Sequence, residues 1–278
     1  MEGEGLYTVT QQPTNWGVPK IHAPSAWLNT HGSEEIVVAV IDSGIDFDIP
    51  QLASCMWVNK GEIPDNGIDD DRNGFVDDIH GWDFRDNDNS SLIGSRLHWH
   101  GTFVASIIAT WPGDNAIVGV TQGVKIMGVR FLDSKNLSYG RDWKRFASAI
   151  DYAVDNGTRI INLSIYTNGK PPAILEEAIR RALRRDVIIV AITGNDGEAR
   201  VTSLIPGGIA ATKSGTSFAA PSVSAVLALI LSVNPGMTAA QAATVLERSV
   251  TDLGGKGWDK QFGFGLIDAA EAVKQAVR

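Results

Sequence analysis

The sequence predicts an α/β fold of three layers, with helices on both faces of a mostly parallel central sheet. Three observations predict it. Four short runs rich in Val and Ile, at residues 36–41, 124–129, 159–163 and 187–192, mostly do not alternate with polar residues. That is the pattern of strands buried on both faces. Helical patterns separate these runs. The chain has 278 residues, 44% hydrophobic and 20% charged, which is an ordinary globular balance with enough apolar material for one sizeable core.

The elements follow in order. Residues 36–41 form the first strand and close on Asp42. Residues 59–85 then break the alternation, being polar, Gly-bearing and dense in aspartate. The segment is too irregular for an element and too long for a simple turn, which points to a function or a bound ion. A helix is expected over 100–110, with Ala105 and Ser106 small enough for close packing. After the strand at 124–129, a helix over 141–155 ends at Asn156-Gly157, a good C-cap pair. The strand at 159–163 leads to a helix over 172–184, and that to the strand at 187–192. Residues 217–233 are apolar nearly all round and should form a buried helix. Thr238 and Gln241 make a capping box that opens a helix running through Arg248. A last helix covers about 268–277. With no internal repeat and no low-complexity linker, residues 1–278 read as a single domain.

A formal charge of -8 argues against nucleic acid as the main partner. No run reads as long and apolar enough to span a membrane; residues 223–233 come nearest and read as a core helix. Cys55 is the one cysteine, cannot form an internal disulfide, and reads as a small buried residue. Residues 1–7 are acidic and Gly-rich, without the basic and apolar regions of a signal peptide. We therefore expect a cytosolic protein or a mature chain whose leader is gone.

Three motifs carry chemistry. Asp42 ends the first buried strand, at the sheet edge where open α/β proteins place their sites. It could equally be a turn aspartate. His100-Gly-Thr opens a helix; His98 competes with it, and either could be a helix cap, but only His100 is followed by Gly-Thr. Gly215-Thr-Ser217-Phe-Ala-Ala-Pro221 sets a serine at the start of a buried helix, where free N–H groups suit an oxygen that becomes an anion. A plain N-cap is the alternative for Ser217. The order Asp, His, Ser is that of subtilisin. A Gly-x-Ser-x-Gly elbow is missing and the order differs from that of α/β-hydrolases, which argues against an esterase of that type.

Together with Trp16-Gly-Val, Asn162-Leu-Ser164, Thr193-Gly-Asn195-Asp-Gly197 and Phe264-Gly-Leu-Ile-Asp268-Ala-Ala, these blocks resemble the subtilisin-like serine proteases, the subtilase family, over nearly the whole chain. The resemblance implies a serine endopeptidase that works through an acyl-enzyme. Ser217 would be the nucleophile, His100 the general base and acid, Asp42 its orienting partner, and Asn195 an oxyanion donor beside the Ser217 N–H. Peptide substrate would pair as an added strand between residues 136–141 and the segment Ser164, Ile165, Tyr166, with Gly194 nearby. Polypeptide substrates are the implied partners, with the chain's own pro-domain or a protein inhibitor as further ones. No nucleic acid or membrane is implied.

The run Asp69-Asp-Asp71-Arg-Asn73-Gly-Phe75-Val-Asp77-Asp78 offers oxygen ligands at alternate positions with Gly74 at the turn, like the first half of an EF-hand loop. Asp69, Asp71, Asn73, the Phe75 carbonyl and Asp77 or Asp78 are the expected Ca2+ ligands; a solvated acidic loop is the alternative. A second family calcium site would use Gln12 and the loop 113–115, but Gln51 stands where an Asp is expected. Calcium use favours a secreted enzyme, because cytosolic free calcium would barely fill such a loop.

Two features depart from the family. Asn195 and Ser217 are unusually close in sequence, so part of the sheet and one wall of the specificity pocket look missing. Tyr166 stands where the family has a glycine that admits the substrate side chain. Both raise the alternative of a shortened scaffold that is inactive or only binds peptides.

Overall fold

The computed structural model describes residues 15–89, 97–113, 117–139, 142–166, 170–193 and 200–277. Two single turns, α1 (Gly17–Lys20) and α2 (Ala23–Ala26), lead into β1 (Val37–Asp42). A third, α3 (Pro50–Ala53), precedes the aspartate-rich segment, which ends in β2 (Gly81–Asp83). Then come α4 (Trp99–Ile108), β3 (Lys125–Arg130), α5 (Trp143–Asp155), β4 (Ile160–Leu163), α6 (Ala173–Arg184) and β5 (Ile188–Ala191). The chain continues through β6 (Arg200–Ile205), β7 (Ile209–Ser214), a 3-10 turn at Thr216–Phe218, α7 (Ala220–Val233), α8 (Ala239–Arg248) and α9 (Ala269–Ala276).

The main sheet has five strands in the order β2-β3-β1-β4-β5, every pair parallel. The four expected strands are all there; β1, β3 and β4 are buried as expected, whereas β5, at the sheet edge, is only partly buried. In β1 all six residues are buried, and alternate side chains serve opposite layers. Val38 and Val40 join the core with α4, α7 and α9, whereas Val37, Ala39 and Ile41 join the core under α5 and α6. β1 is central, with Val38 opposite Ile126 on one side and Ile160 on the other. Its last residue, Asp42, pairs with Arg130 and so lies at the carboxyl edge of the sheet.

The stretch 216–233 has the length and apolarity of a membrane span, contrary to the sequence expectation, which counted only from residue 223. It is 67% buried within the fold, as a core helix is. The capping box at Thr238 and Gln241 forms as read.

The segment before the serine holds structure that the sequence reading did not find. β6 and β7 make an antiparallel hairpin, closed by Pro206-Gly207-Gly208 with Gly207 and Gly208 at φ 82° and 72°. This hairpin is a separate sheet and lies on α4. The Ser203 and Ser106 hydroxyls are 2.6 Å apart, and Leu204 N–H donates to Ser106 Oγ at 3.1 Å. At the tip, Gly207 N–H donates to the Asp46 carboxylate at 2.7 Å. Val201, Ile205 and Ala211 cover Phe103, Ile107 and Phe218 in a small apolar cluster.

Candidate active site

Asp42 and His100 meet because β1 ends where α4 begins. Gly101 permits the approach: a Cβ there would fall on the Gly44 carbonyl. The Ser43 hydroxyl takes the Gly101 N–H at 3.0 Å and donates to the His98 carbonyl at 3.2 Å, stitching the two segments. His98 is the N-cap of α4, its Nδ1 accepting the His100 N–H at 3.3 Å. The competition between the two histidines is therefore resolved by position. One caps the helix, and the other, two residues in, faces the aspartate.

His100 Nδ1 lies 2.8 and 2.9 Å from the two carboxylate oxygens of Asp42, both residues being buried. A carboxylate only accepts, so Nδ1 carries the proton and Nε2 is left as the base. Burial pushes the His100 pKa down, but the Asp42 charge and hydrogen bond outweigh it and hold the imidazole above its ordinary value. His98 goes the other way, lowered by burial and by the neighbouring His100.

Ser217 sits in the 3-10 turn ahead of α7, not at the N-cap of that helix, which is Ala219. Gly215, at φ 145°, takes the sharp entry to the turn. The Ser217 hydroxyl donates to the Ser164 carbonyl at 3.3 Å, while Ser164 Oγ donates to the Ser217 carbonyl at 2.8 Å. Among the described residues the hydroxyl makes no hydrogen bond to His100, and the Ser217 N–H has no acceptor. Behind Ser164, Asn162 Nδ2 donates to its hydroxyl at 3.0 Å and Ser224 Oγ donates to Asn162 Oδ1 at 2.8 Å. This buried chain of hydrogen bonds fixes β4 to α7 and hence the serine to the sheet.

His100 and Ser217 open onto one cleft of about 470 Å3. Asn136, Leu137 and Ser138 line it after β3, Ser164, Ile165 and Tyr166 line it after β4, and Trp99, Leu132, Ser214 and Phe218 complete it. Tyr166 is 54% exposed, so it stands at the opening and does not plug the interior. Asn136 Oδ1 is buried without a partner among the described residues, an unused acceptor in the wall. Gly194 and Asn195 lie outside the described residues.

Away from the cleft, the acidic segment folds around carboxylates. Glu62, Asp69 and Asp71 bring ligand oxygens within 4.8 Å of one another. Glu62 is buried and also accepts the N–H groups of Asp71 and Asp77. Sequence reasoning missed it, since it precedes the aspartate run and no local spacing ties it in. Asn73 takes the turn, its N–H shared between Asp69 and Asp71 at 3.0 Å each. Asp77 turns its two oxygens to the N–H groups of Asn66 and Gly67. Asp78 is fully buried, bonded to Tyr152, Asn59 and Asn73; burial pushes its carboxyl up to about 6 against those hydrogen bonds. The Phe75 ring packs edge-on against Trp82, Phe84 and Tyr152, anchoring the loop in the core.

The chain matches the model of the Subtilase family over residues 33–208 and 200–265. It is similar to subtilisin-like protease 1 of Plasmodium berghei (strain Anka), 28% identical over 94% of this chain and 54% of that protein. It is also similar to minor extracellular protease Epr of Bacillus subtilis (strain 168), at 26% over 95% of this chain and 43% of that protein. With thermitase of Thermoactinomyces vulgaris the identity is 27%, covering 93% of this chain and 95% of that protein. The chain thus spans about half the length of the first two. The thermitase alignment runs over 303 positions, more than the 278 residues of this chain, so gaps open in this chain.

Proposed function

The chain belongs to the subtilase family, and from that premise we propose that it is a serine endopeptidase of the subtilisin type, cutting peptide bonds with Asp42, His100 and Ser217. One observation carries the reading most: the buried Asp42–His100 pair, at 2.8 Å, opens onto the cleft that also holds Ser217. With Nδ1 held by Asp42, the free Nε2 accepts the Ser217 proton as Oγ attacks the scissile carbonyl. Rotation about the Ser217 side-chain bond exchanges the Ser164 carbonyl for His100 as the hydroxyl's acceptor. The oxyanion of the tetrahedral intermediate takes the Ser217 N–H, which has no acceptor among the described residues, and Asn195 as its second donor. His100 then returns the proton to the leaving amine, and water releases the acyl-enzyme by the same steps. Substrate backbone pairs with residues 136–138 and with Ser164, Ile165 and Tyr166 on the two walls of the cleft.

The donor set of Glu62, Asp69 and Asp71 fits Ca2+, being three hard oxygens close enough to repel without a cation between them. Asn73, the Phe75 carbonyl, Asp77 and Asp78 complete or support that loop. Calcium there would neutralise the carboxylates and stabilise the fold; it takes no part in hydrolysis. The relative from Bacillus subtilis is extracellular by its name, and secretion is the location we propose here. Polypeptides are the substrates, and a pro-domain or a protein inhibitor would occupy the same cleft.

A fluorophosphonate probe tests the chemistry. It should label Ser217 in the wild type and leave Ser217→Ala unlabelled, alongside cleavage of a chromogenic peptide by the wild type only. A wild type that neither labels nor cleaves would leave a peptide-binding scaffold without catalysis.

A further inference from the structure

Beside the cleft stands a cation with no counterion among the described residues. Lys213 of β7 holds its ammonium 4.3 Å from the centre of the Trp99 ring. Among the described residues it forms no ion pair and no hydrogen bond. Its seat places it beside the cleft: Trp99 precedes His100 and lines the cavity. The surrounding acids are engaged elsewhere. Asp42 holds His100 and the Ser43 N–H. The Asp133 carboxylate takes the N–H groups of Lys135 and Leu137 and the Tyr139 hydroxyl. Among the described residues no carboxylate lines the cleft itself. In a chain of net charge -8, a positive charge at this place stands against the general balance.

The ring contact also prepares the charge for use. A cation over a π face is attracted as a charge, so its N–H donors stay available. The contact orders the long side chain during folding, so less conformational entropy is lost when a ligand arrives. The cleft also contains the apolar side chains Leu132, Leu137, Ile165 and Phe218, low-dielectric surfaces that strengthen the field of a nearby charge.

We propose that Lys213, seated on Trp99, is a specificity determinant that selects peptide substrates carrying an Asp or Glu side chain close to the scissile bond. The inference rests on the endopeptidase reading above and deepens it.

The test uses end-blocked, internally quenched peptides, so that only side-chain carboxylates count. Glu, Gln and Lys are placed in turn at each of three positions on either side of the cleaved bond. Each set is assayed with wild type, Lys213→Met and Lys213→Glu. The wild type should favour Glu over Gln at one of these positions by roughly fivefold in kcat/KM, the scale of a partly exposed ion pair. That ratio should fall to about one in Lys213→Met, tip toward Lys in Lys213→Glu, and shrink in the wild type at molar salt. Because each ratio is taken within one variant, a change in folding or overall rate cancels. A wild type that cleaves the neutral peptides with no Glu preference at any position sinks the subsite and leaves the protease standing. So does a Glu preference that survives unchanged in Lys213→Glu. A wild type that cleaves nothing and is not labelled at Ser217 overturns both.

Discussion

At the scale of single residues, the pair Asp42–His100 decides the pH response. The base must be neutral, and its pKa is held above the ordinary 6.5 because Asp42 outweighs the effect of burial. The acid limb of kcat/KM should therefore lie above pH 6.5, with activity lost as pH falls through it. In Asp42→Asn only the burial effect remains, so the limb should move to lower pH while kcat drops about 10^4-fold, as in other triads of this kind. A pH–rate profile that keeps its acid limb in Asp42→Asn would assign that limb to another group. The stability linkage has the opposite sense to the activity. The protonated His100–Asp42 pair contributes fully below His100's unfolded pKa of about 6.5, and the contribution is lost as pH rises through the raised folded value.

At the scale of elements, the residues of the site are held by contacts between α4, the hairpin β6–β7 and the turn before α7. Gly101 adds a close approach to the loop after β1, because α4 lies directly on the Gly44 backbone. Gly101→Ala should cost about 1–3 kcal/mol, the scale of overpacking, and should slow labelling of Ser217 by shifting His100 from its place. A urea midpoint and a labelling rate both equal to wild type would show that the two backbones can separate freely. Several of these elements were legible in the sequence. β1, β3, β4 and β5 were, since strands of a covered sheet carry runs rich in Val and Ile, even in β5 at the sheet edge where burial is partial, and the capping box of α8 is a local hydrogen-bond pattern. β2 was not, because three residues inside an aspartate-rich segment carry no period. The hairpin had a signal in Ile205-Pro-Gly-Gly-Ile209, but its Thr and Ser positions hide the alternation, and Ser203 and Ser106 find each other across 97 residues. The cleft was read from motifs. The cation beside it was not, because nothing local to Lys213 names Trp99 as its seat.

At the scale of the whole molecule, two apolar layers enclose the sheet, and the acidic segment that feeds the edge strand β2 lies outside them. That segment is pinned by Phe75 in the core and by hydrogen bonds onto carboxylates, three of which crowd together at Glu62, Asp69 and Asp71. Repulsion among them opposes folding, and a bound cation reverses its sign, so the melting temperature should depend on calcium. At a calcium concentration a hundred times Kd the gain is about 2.7 kcal/mol. For a protein of this size that corresponds to about 5–10 °C. EDTA should lower the wild-type transition by that amount, and added calcium should restore it. Asp71→Ala removes one ligand and also the acceptor of Asn59 and Asn73, so it should melt lower in any buffer. The distinguishing result is the response: Asp71→Ala should melt at the same temperature with and without EDTA. A wild type indifferent to EDTA would mean that the loop's own N–H donors suffice to hold its carboxylates.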